Sequence, residues 1–240
     1  MRRVAVLAVL ALCADCTSNA KPLGSDPFVA AFRELRPSVV LLTMQIPSDD
    51  PKRKGDWDDA YGTGVVVASG AWGSQVLTVE HVVHGARRLH ATFREQKDAP
   101  VRLIASDEQD DLALLEASVP QIPVARLGTS RGLEAGDAIG VAGFPIPDAF
   151  ADEGLAVKTS VYAGRISSVR NDALELDLPI IPGESGGPVF EANSGDVIGL
   201  AESRFEEERA IGFAIPIDDA LRFLKGKEHA SPAPRTNVSS

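Results

Sequence analysis

Across residues 38–215 the chain alternates apolar runs of four to nine residues, rich in Val, Ile, Leu and Thr, with turns built from Gly, Pro, Asp and Ser. The runs lie at 39–46, 64–68, 75–79, 88–93, 101–105, 138–142, 156–162, 173–178, 197–201 and 211–215. Parallel strands need crossover helices, and almost no helical periodicity separates these runs. The pattern therefore predicts an all-β barrel or sandwich of about ten antiparallel strands. Short helices bracket it. Asp26 and Pro27 make an N-cap and a first-turn proline ahead of Phe28, Ala31, Phe32 and Leu35, an apolar stripe at helical spacing. After Pro216, Asp218 is placed to cap a second helix that turns Ala220, Leu221, Phe223 and Leu224 inward. The domain expected is 26–226, followed by a polar tail, 227–240, expected to be disordered.

The 240 residues carry a formal net charge of −10. That balance argues against a nucleic-acid or anionic-membrane binder, which needs clustered Lys and Arg to displace counterions. The only short basic stretch, Lys52 to Lys54, is followed at once by Asp56, Asp58 and Asp59. Residues 1–20 have the layout of a secretory signal peptide: Arg2 and Arg3, the apolar run 4–12, then small and polar residues. The run is too short to span a bilayer. Cys13 follows Leu10, Ala11 and Leu12 as in a bacterial lipoprotein signal, so lipidation at Cys13 and plain secretion both fit, although Leu12 is bulkier than that signal normally has. Both cysteines, Cys13 and Cys16, lie in this segment, and no disulfide framework is expected to support the fold.

Three segments carry chemistry. Residues 76–85 form an apolar strand ending at His81; residues 106–115 form an acidic turn opening a strand, with Asp111 directly before it; and residues 181–188 form a Gly-rich loop around Ser185. A serine hydroxyl is a poor nucleophile unless an imidazole takes its proton, and the imidazole needs a carboxylate to fix its tautomer. Glycines beside the serine let backbone N–H groups point at an oxyanion, which Gly183 and Ser185 would do here. The same loop fits a G-x-S-x-G elbow, with Asp218 and His229 as later partners, but Pro188, Val189 and Phe190 continue into strand where the elbow requires a helix. His84, His90 and His229 are read as surface or structural residues; no metal and no cofactor is expected.

Taken in order, Arg36-Pro37-Ser38-Val39-Val40, Gly62-Thr63-Gly64, the His81 strand, Asp111 to Leu115, Leu127-Gly128, Gly143-Phe144-Pro145, residues 183–188, Val197-Ile198-Gly199 and residues 211–216 resemble the protease domain of the HtrA/Deg family of chymotrypsin-like serine peptidases. The resemblance implies a double β-barrel with the site in the cleft, His81 as general base, Asp111 orienting it and Ser185 as nucleophile. It also implies that Ile180 and the strand Gly199-Leu200-Ala201 line the primary specificity pocket, with that strand pairing to substrate backbone. Ile180 and Leu200 are apolar, so small or medium aliphatic residues are expected before the scissile bond, and the acidic residues Glu202 and Glu206 to Glu208 would favour cationic residues further along. The expected partners are polypeptide substrates. The helix bearing Phe28 and Phe32 resembles the trimer-forming segment of relatives, which implies a homotrimer. The location implied is the bacterial periplasm or cell envelope, with membrane attachment only through a lipidated Cys13.

Two residues depart from the family. Glu184 stands before the nucleophile where such proteins usually carry Asn, and Glu80 stands before the base where they carry a small residue. A carboxylate beside an oxyanion hole opposes the developing charge unless it points away or pairs with a cation. The rival to an exported endopeptidase is therefore a catalytically impaired module that keeps the fold for binding or a chaperone-like role. No PDZ domain is expected after the last helix.

Overall fold

The computed structural model describes residues 26–48, 50–202 and 211–228. The expected signal in 1–20 with Cys13, the residues Glu206 to Glu208, His229 and the tail from 229 onward lie outside the described residues. Helix α1 (Pro27–Leu35) starts as its sequence dictates: the Asp26 side chain accepts from the Phe28 N–H at 2.9 Å, and Ala31 and Leu35 are buried.

Two closed, antiparallel six-stranded barrels follow. The first contains β1 (Val39–Pro47), β2 (Trp57–Gly70), β3 (Gly73–Thr78), β4 (Arg87–Phe93), β5 (Lys97–Asp107) and β6 (Leu112–Ala117), in the order β1-β2-β3-β6-β5-β4. The second contains β7 (Ala138–Gly143), β8 (Ser160–Val169), β9 (Leu174–Leu176), β10 (Pro188–Glu191), β11 (Val197–Glu202) and β12 (Gly212–Pro216), in the order β10-β11-β12-β9-β8-β7. Closure removes free strand edges, so short strands suffice. Helices α2 (Glu80–Val83) and α3 (Pro147–Asp152) sit in loops, and α4 (Ile217–Glu228) ends the described chain.

The all-β expectation and both terminal helices hold, with local differences that have physical causes. β2 begins at Trp57, well before position 64, although its first half is polar. There it pairs with β1 from Pro47↔Trp57 onward, Gln45 donates to Asp59, and the Arg87 guanidinium lies 3.7 Å over the Trp57 ring. The strand expected at 156–162 starts only at Ser160, because the Thr159 N–H and hydroxyl are both held by Glu95 of the first barrel. Strand β3 stops at Thr78, so His81 lies on the first turn of α2 and not on a strand end. Asp218 sits inside α4. Its carboxylate accepts from the Ser130 N–H and hydroxyl and from the Thr129 hydroxyl, tying α4 to the inter-barrel connection instead of capping it.

That connection, residues 118–137, crosses between the barrels and bonds to each: the Ala125 N–H donates to Val66 O, and the Gly128 N–H to Val197 O. α1 packs on the second barrel through Phe28, whose ring stacks on Phe190 at 5.7 Å. Phe190 is fully buried and lies over Gly140 of β7, where an added Cβ would stand 2.2 Å from the ring. Gly140→Ala is therefore expected to cost about 1–3 kcal/mol, read as a lower urea midpoint at unchanged slope.

Candidate active site

Asp111 is placed by an acidic turn. The Asp107 carboxylate accepts from the N–H groups of Gln109 and Asp110, closing an Asx turn that delivers Asp111 with φ +49°, a left-handed conformation rare outside glycine. From there Asp111 grips His81 at two points. One carboxylate oxygen accepts from the His81 N–H at 2.8 Å, and the other meets His81 Nδ1 at 2.7 Å. The Asp111 carbonyl also accepts from the Glu80 N–H. An ionised carboxylate can only accept, so this contact keeps the Nδ1 proton on the ring and leaves Nε2 as the basic nitrogen. Burial works against the His81 cation, but the hydrogen bond and charge of Asp111, aided by Glu202 and Glu80, hold its pKa above the usual 6.5.

The loop 181–187 that carries Ser185 is tied at almost every peptide. The Glu184 N–H donates to Ile181 O, the Gly186 N–H to Ala201 O, the Gly187 N–H to Glu184 O, and Ile146 N–H to Pro182 O. Gly183 has φ +95° and Gly186 φ +84°; a Cβ at Gly183 would lie 2.3 Å from Phe144 O, and one at Gly186 2.1 Å from Thr78 Oγ1. Only glycine fits these two positions. Among the described residues no hydrogen bond uses the N–H groups of Gly183 or Ser185, the pair expected to form an oxyanion hole.

Thr63, fully buried on β2, joins this loop to the other barrel. Its N–H donates to Ser185 O at 2.9 Å, its hydroxyl donates to Gly183 O at 2.7 Å and accepts from the Phe144 N–H at 3.1 Å. Its carbonyl accepts from the Thr78 hydroxyl at 2.7 Å, three residues before His81. Sequence reasoning gave Thr63 no role beyond membership of a short motif; its buried hydroxyl between two glycines was the available signal.

His81 and Asp111 are thus directly bonded, and the Ser185 loop is linked through Thr63 to Thr78, on the strand that leads to His81. No hydrogen bond joins the Ser185 hydroxyl to His81 among the described residues. Such contacts in ligand-free enzymes often form only when substrate binds. Chemically, the arrangement provides an imidazole with a fixed tautomer and a serine hydroxyl on a loop held by hydrogen bonds.

The two unusual carboxylates behave differently. Glu80 turns to His84, with Oε1 2.8 Å from His84 Nδ1, and its hydrogen bond and charge raise the pKa of that exposed ring. Glu184 is fully buried. Its Oε2 accepts from the Ile181 N–H at 2.8 Å, its Oε1 has no partner, and burial pushes its pKa up to about 7 against the pull of that N–H. Glu80, His84 and Glu108 bring ligand atoms within 4.8 Å of one another, a grouping that spacing along the chain did not show. His90 is bonded to Asp98.

The strand expected to pair with substrate backbone is β11. Both edges of β11 are occupied at Gly199, Leu200 and Ala201: β10 pairs on one side, with the Ala201 N–H donating to Gly187 O, and β12 on the other, through Gly199↔Pro216, Leu200↔Ile215 and Ala201↔Ala214. With both edges taken, these three residues offer no free backbone edge to an extended substrate. Ile180 is half-buried and packs over Gly212 at the start of β12.

The family described as trypsin-like peptidase domain matches residues 62–200. A putative serine protease HhoA from Synechocystis sp. is 36% identical over 210 residues, covering 85% of this chain and 49% of its own. A probable periplasmic serine endoprotease DegP-like from Hahella chejuensis is 30% identical over 181 residues, covering 72% of this chain and 37% of its own. The chain thus spans half or less of the length of these curated relatives. Among solved structures, the HtrA-type protease AlgW with tripeptide superposes with a TM-score of 0.70 at 28% identity, covering 85% of this chain and 64% of that one. The serine endoprotease from Yersinia pestis gives 0.65 at 26% identity, with coverages of 83% and 65%.

Thr63→Val removes the hydroxyl and strands the Phe144 N–H and Gly183 C=O in a dry site. It is expected to cost about 1–3 kcal/mol in urea unfolding, with Thr63→Ser restoring most of the loss.

Proposed function

The chain belongs to the trypsin-like peptidase family, and on that premise we propose that it is an HtrA-like serine endopeptidase acting through His81, Asp111 and Ser185. The observation that carries the reading is the two-point grip of Asp111 on His81, which leaves Nε2 as the basic nitrogen in a chain that also holds Ser185 between two positive-φ glycines. In the first step the Ser185 Oγ–carbonyl bond forms as its proton passes to His81 Nε2. The carbonyl oxygen becomes an anion received by the N–H groups of Gly183 and Ser185. His81 then gives the proton to the leaving amine as the C–N bond breaks, leaving an acyl-enzyme. Water, deprotonated by the same nitrogen, repeats the sequence and releases the acid.

The substrates proposed are unfolded or exposed polypeptide segments, cut after small or medium aliphatic residues. Support comes from Ile180, which presents an apolar wall over Gly212. The proposed location is the periplasm or cell envelope of a bacterium, supported by the layout of residues 1–20 and by relatives named as periplasmic endoproteases. Lipidation of Cys13 is a variant of the same proposal. A homotrimer is proposed through α1: Val29 is exposed, and Phe32, Pro37 and Pro123 line a groove of about 630 Å³ beside it. Light scattering after size exclusion should give three times the chain mass, and a monomer at every concentration would refute that part.

The deciding experiment is degradation of a denatured protein by residues 21–240. Wild type should cleave, Ser185→Ala should lose at least about a thousandfold in rate, and the new C-termini should be predominantly Val, Ile, Leu or Ala. A folded wild type that neither cleaves nor takes a fluorophosphonate probe on Ser185 would favour the impaired binding module.

A further inference from the structure

Glu184 is a fully buried carboxyl whose chemistry the hydrolytic steps leave unused. Its Cα and Cβ press against Gly143 of β7, its Oε2 receives the Ile181 N–H, and its backbone closes the turn by donating to Ile181 O. Side chain and main chain thus clamp the same residue. Between the clamped ends lie Pro182 and Gly183, and the Gly183 N–H is one of the two proposed oxyanion donors. Building on the endopeptidase reading, we propose that Glu184 is a positioning residue for the oxyanion hole and does this work as a neutral carboxylic acid, so that losing its proton loosens the loop 181–184.

The surroundings set the sign. Oε1 is buried without a donor, so an ionised Glu184 would hold an uncompensated charge there. The titratable groups on the elements around it give no relief. β8 contributes Tyr162, whose phenol is pushed up by burial and then by the Glu184 charge. α3, whose Pro147 abuts Gly183, carries Asp148 and Asp152, which face Tyr61. Thr63 of β2 and Gly143 of β7 are uncharged, and the charge of Glu202, on β11, acts on His81. Among the described residues no lysine or arginine pairs with Glu184. Ionisation therefore drives the carboxylate toward solvent, releases the Ile181 N–H, and sets a negative charge one residue from the developing oxyanion.

His81 must be unprotonated to act as a base, whereas Glu184 must be protonated to hold the loop. With the His81 pKa above 6.5 and that of Glu184 about 7, the two requirements overlap narrowly and kcat should peak near neutral pH. Glu184→Gln keeps an acceptor oxygen for the Ile181 N–H and cannot ionise. Its kcat should stay on a plateau above pH 7, raising the ratio of kcat at pH 9 to kcat at pH 7 by about fivefold or more over wild type, with KM little moved. Glu184→Ala, lacking the acceptor, should lower kcat at every pH. An alkaline limb in Glu184→Gln equal to that of wild type, or a Glu184→Ala variant with wild-type kcat, would overturn the proposal.

A second measurement is independent of catalysis. In the Ser185→Ala background, amide exchange at Ile181 and Gly183 should rise more steeply than the ordinary base-catalysed increase as the pH passes 7, and Glu184→Gln should remove the excess. The Tm of Glu184 protein relative to Glu184→Gln should fall between pH 4.5 and 7, because the unfolded carboxyl releases its proton first, and level off above. Ordinary exchange across that range would overturn the role of Glu184 even if the enzyme is active. Excess exchange in a protein that never cleaves would uphold it and refute only the endopeptidase reading.

Discussion

The site depends first on four hydrogen bonds at one buried threonine. The N–H, hydroxyl and carbonyl of Thr63 reach Ser185, Gly183, Phe144 and Thr78, so a single residue of the first barrel fixes the Ser185 loop of the second. A hydroxyl can donate once and accept besides, and here it does both, which no apolar residue of the same shape could reproduce. The cavity around it is tight. Cβ atoms at Gly186 and Gly187 would stand 2.3 Å from Thr63 O and 3.3 Å from its methyl carbon. The Ser185 loop is thus held by the other barrel as much as by its own.

The base is held by a different device. The turn 107–111 is closed by Asp107, and Asp111 leaves it in a left-handed conformation that a non-glycine residue adopts at some cost. That cost is offset by three bonds, to the Glu80 N–H, the His81 N–H and the His81 ring. Because one carboxylate meets both backbone and side chain of the histidine, ring orientation and tautomer are set together. Strain at Asp111 and rigidity at His81 are two sides of one arrangement.

The two acidic residues next to His81 and Ser185 end in opposite surroundings. Glu80 is on a helical turn, and i,i+4 spacing hands its charge to His84, away from the cleft. Glu184 has neither solvent nor a cation, and burial favours its neutral form. Identical side chains, each one residue before His81 or Ser185, therefore meet different surroundings. Adjacency in sequence says nothing about which.

Much of this was legible along the chain. Apolar runs punctuated by Gly and Pro determined an antiparallel β protein, because parallel pairing needs crossover connections that the short turns between these runs do not provide. The Asp26-Pro27 cap determined α1, and the residue types around His81, Asp111 and Ser185 determined the chemistry available. All of these are local properties, set by a residue and those within a few positions of it. Tertiary structure decided the rest. It set the length of β2 through pairing with β1, the late start of β8 through Glu95, the pairing of β11 along both edges at Gly199, Leu200 and Ala201, and the role of Thr63. It also decided the protonation of Glu184. The physical reason is common to all of them: hydrogen-bond partners, occupied strand edges and exclusion of water are supplied by segments distant in sequence, and the chain acquires them only on folding.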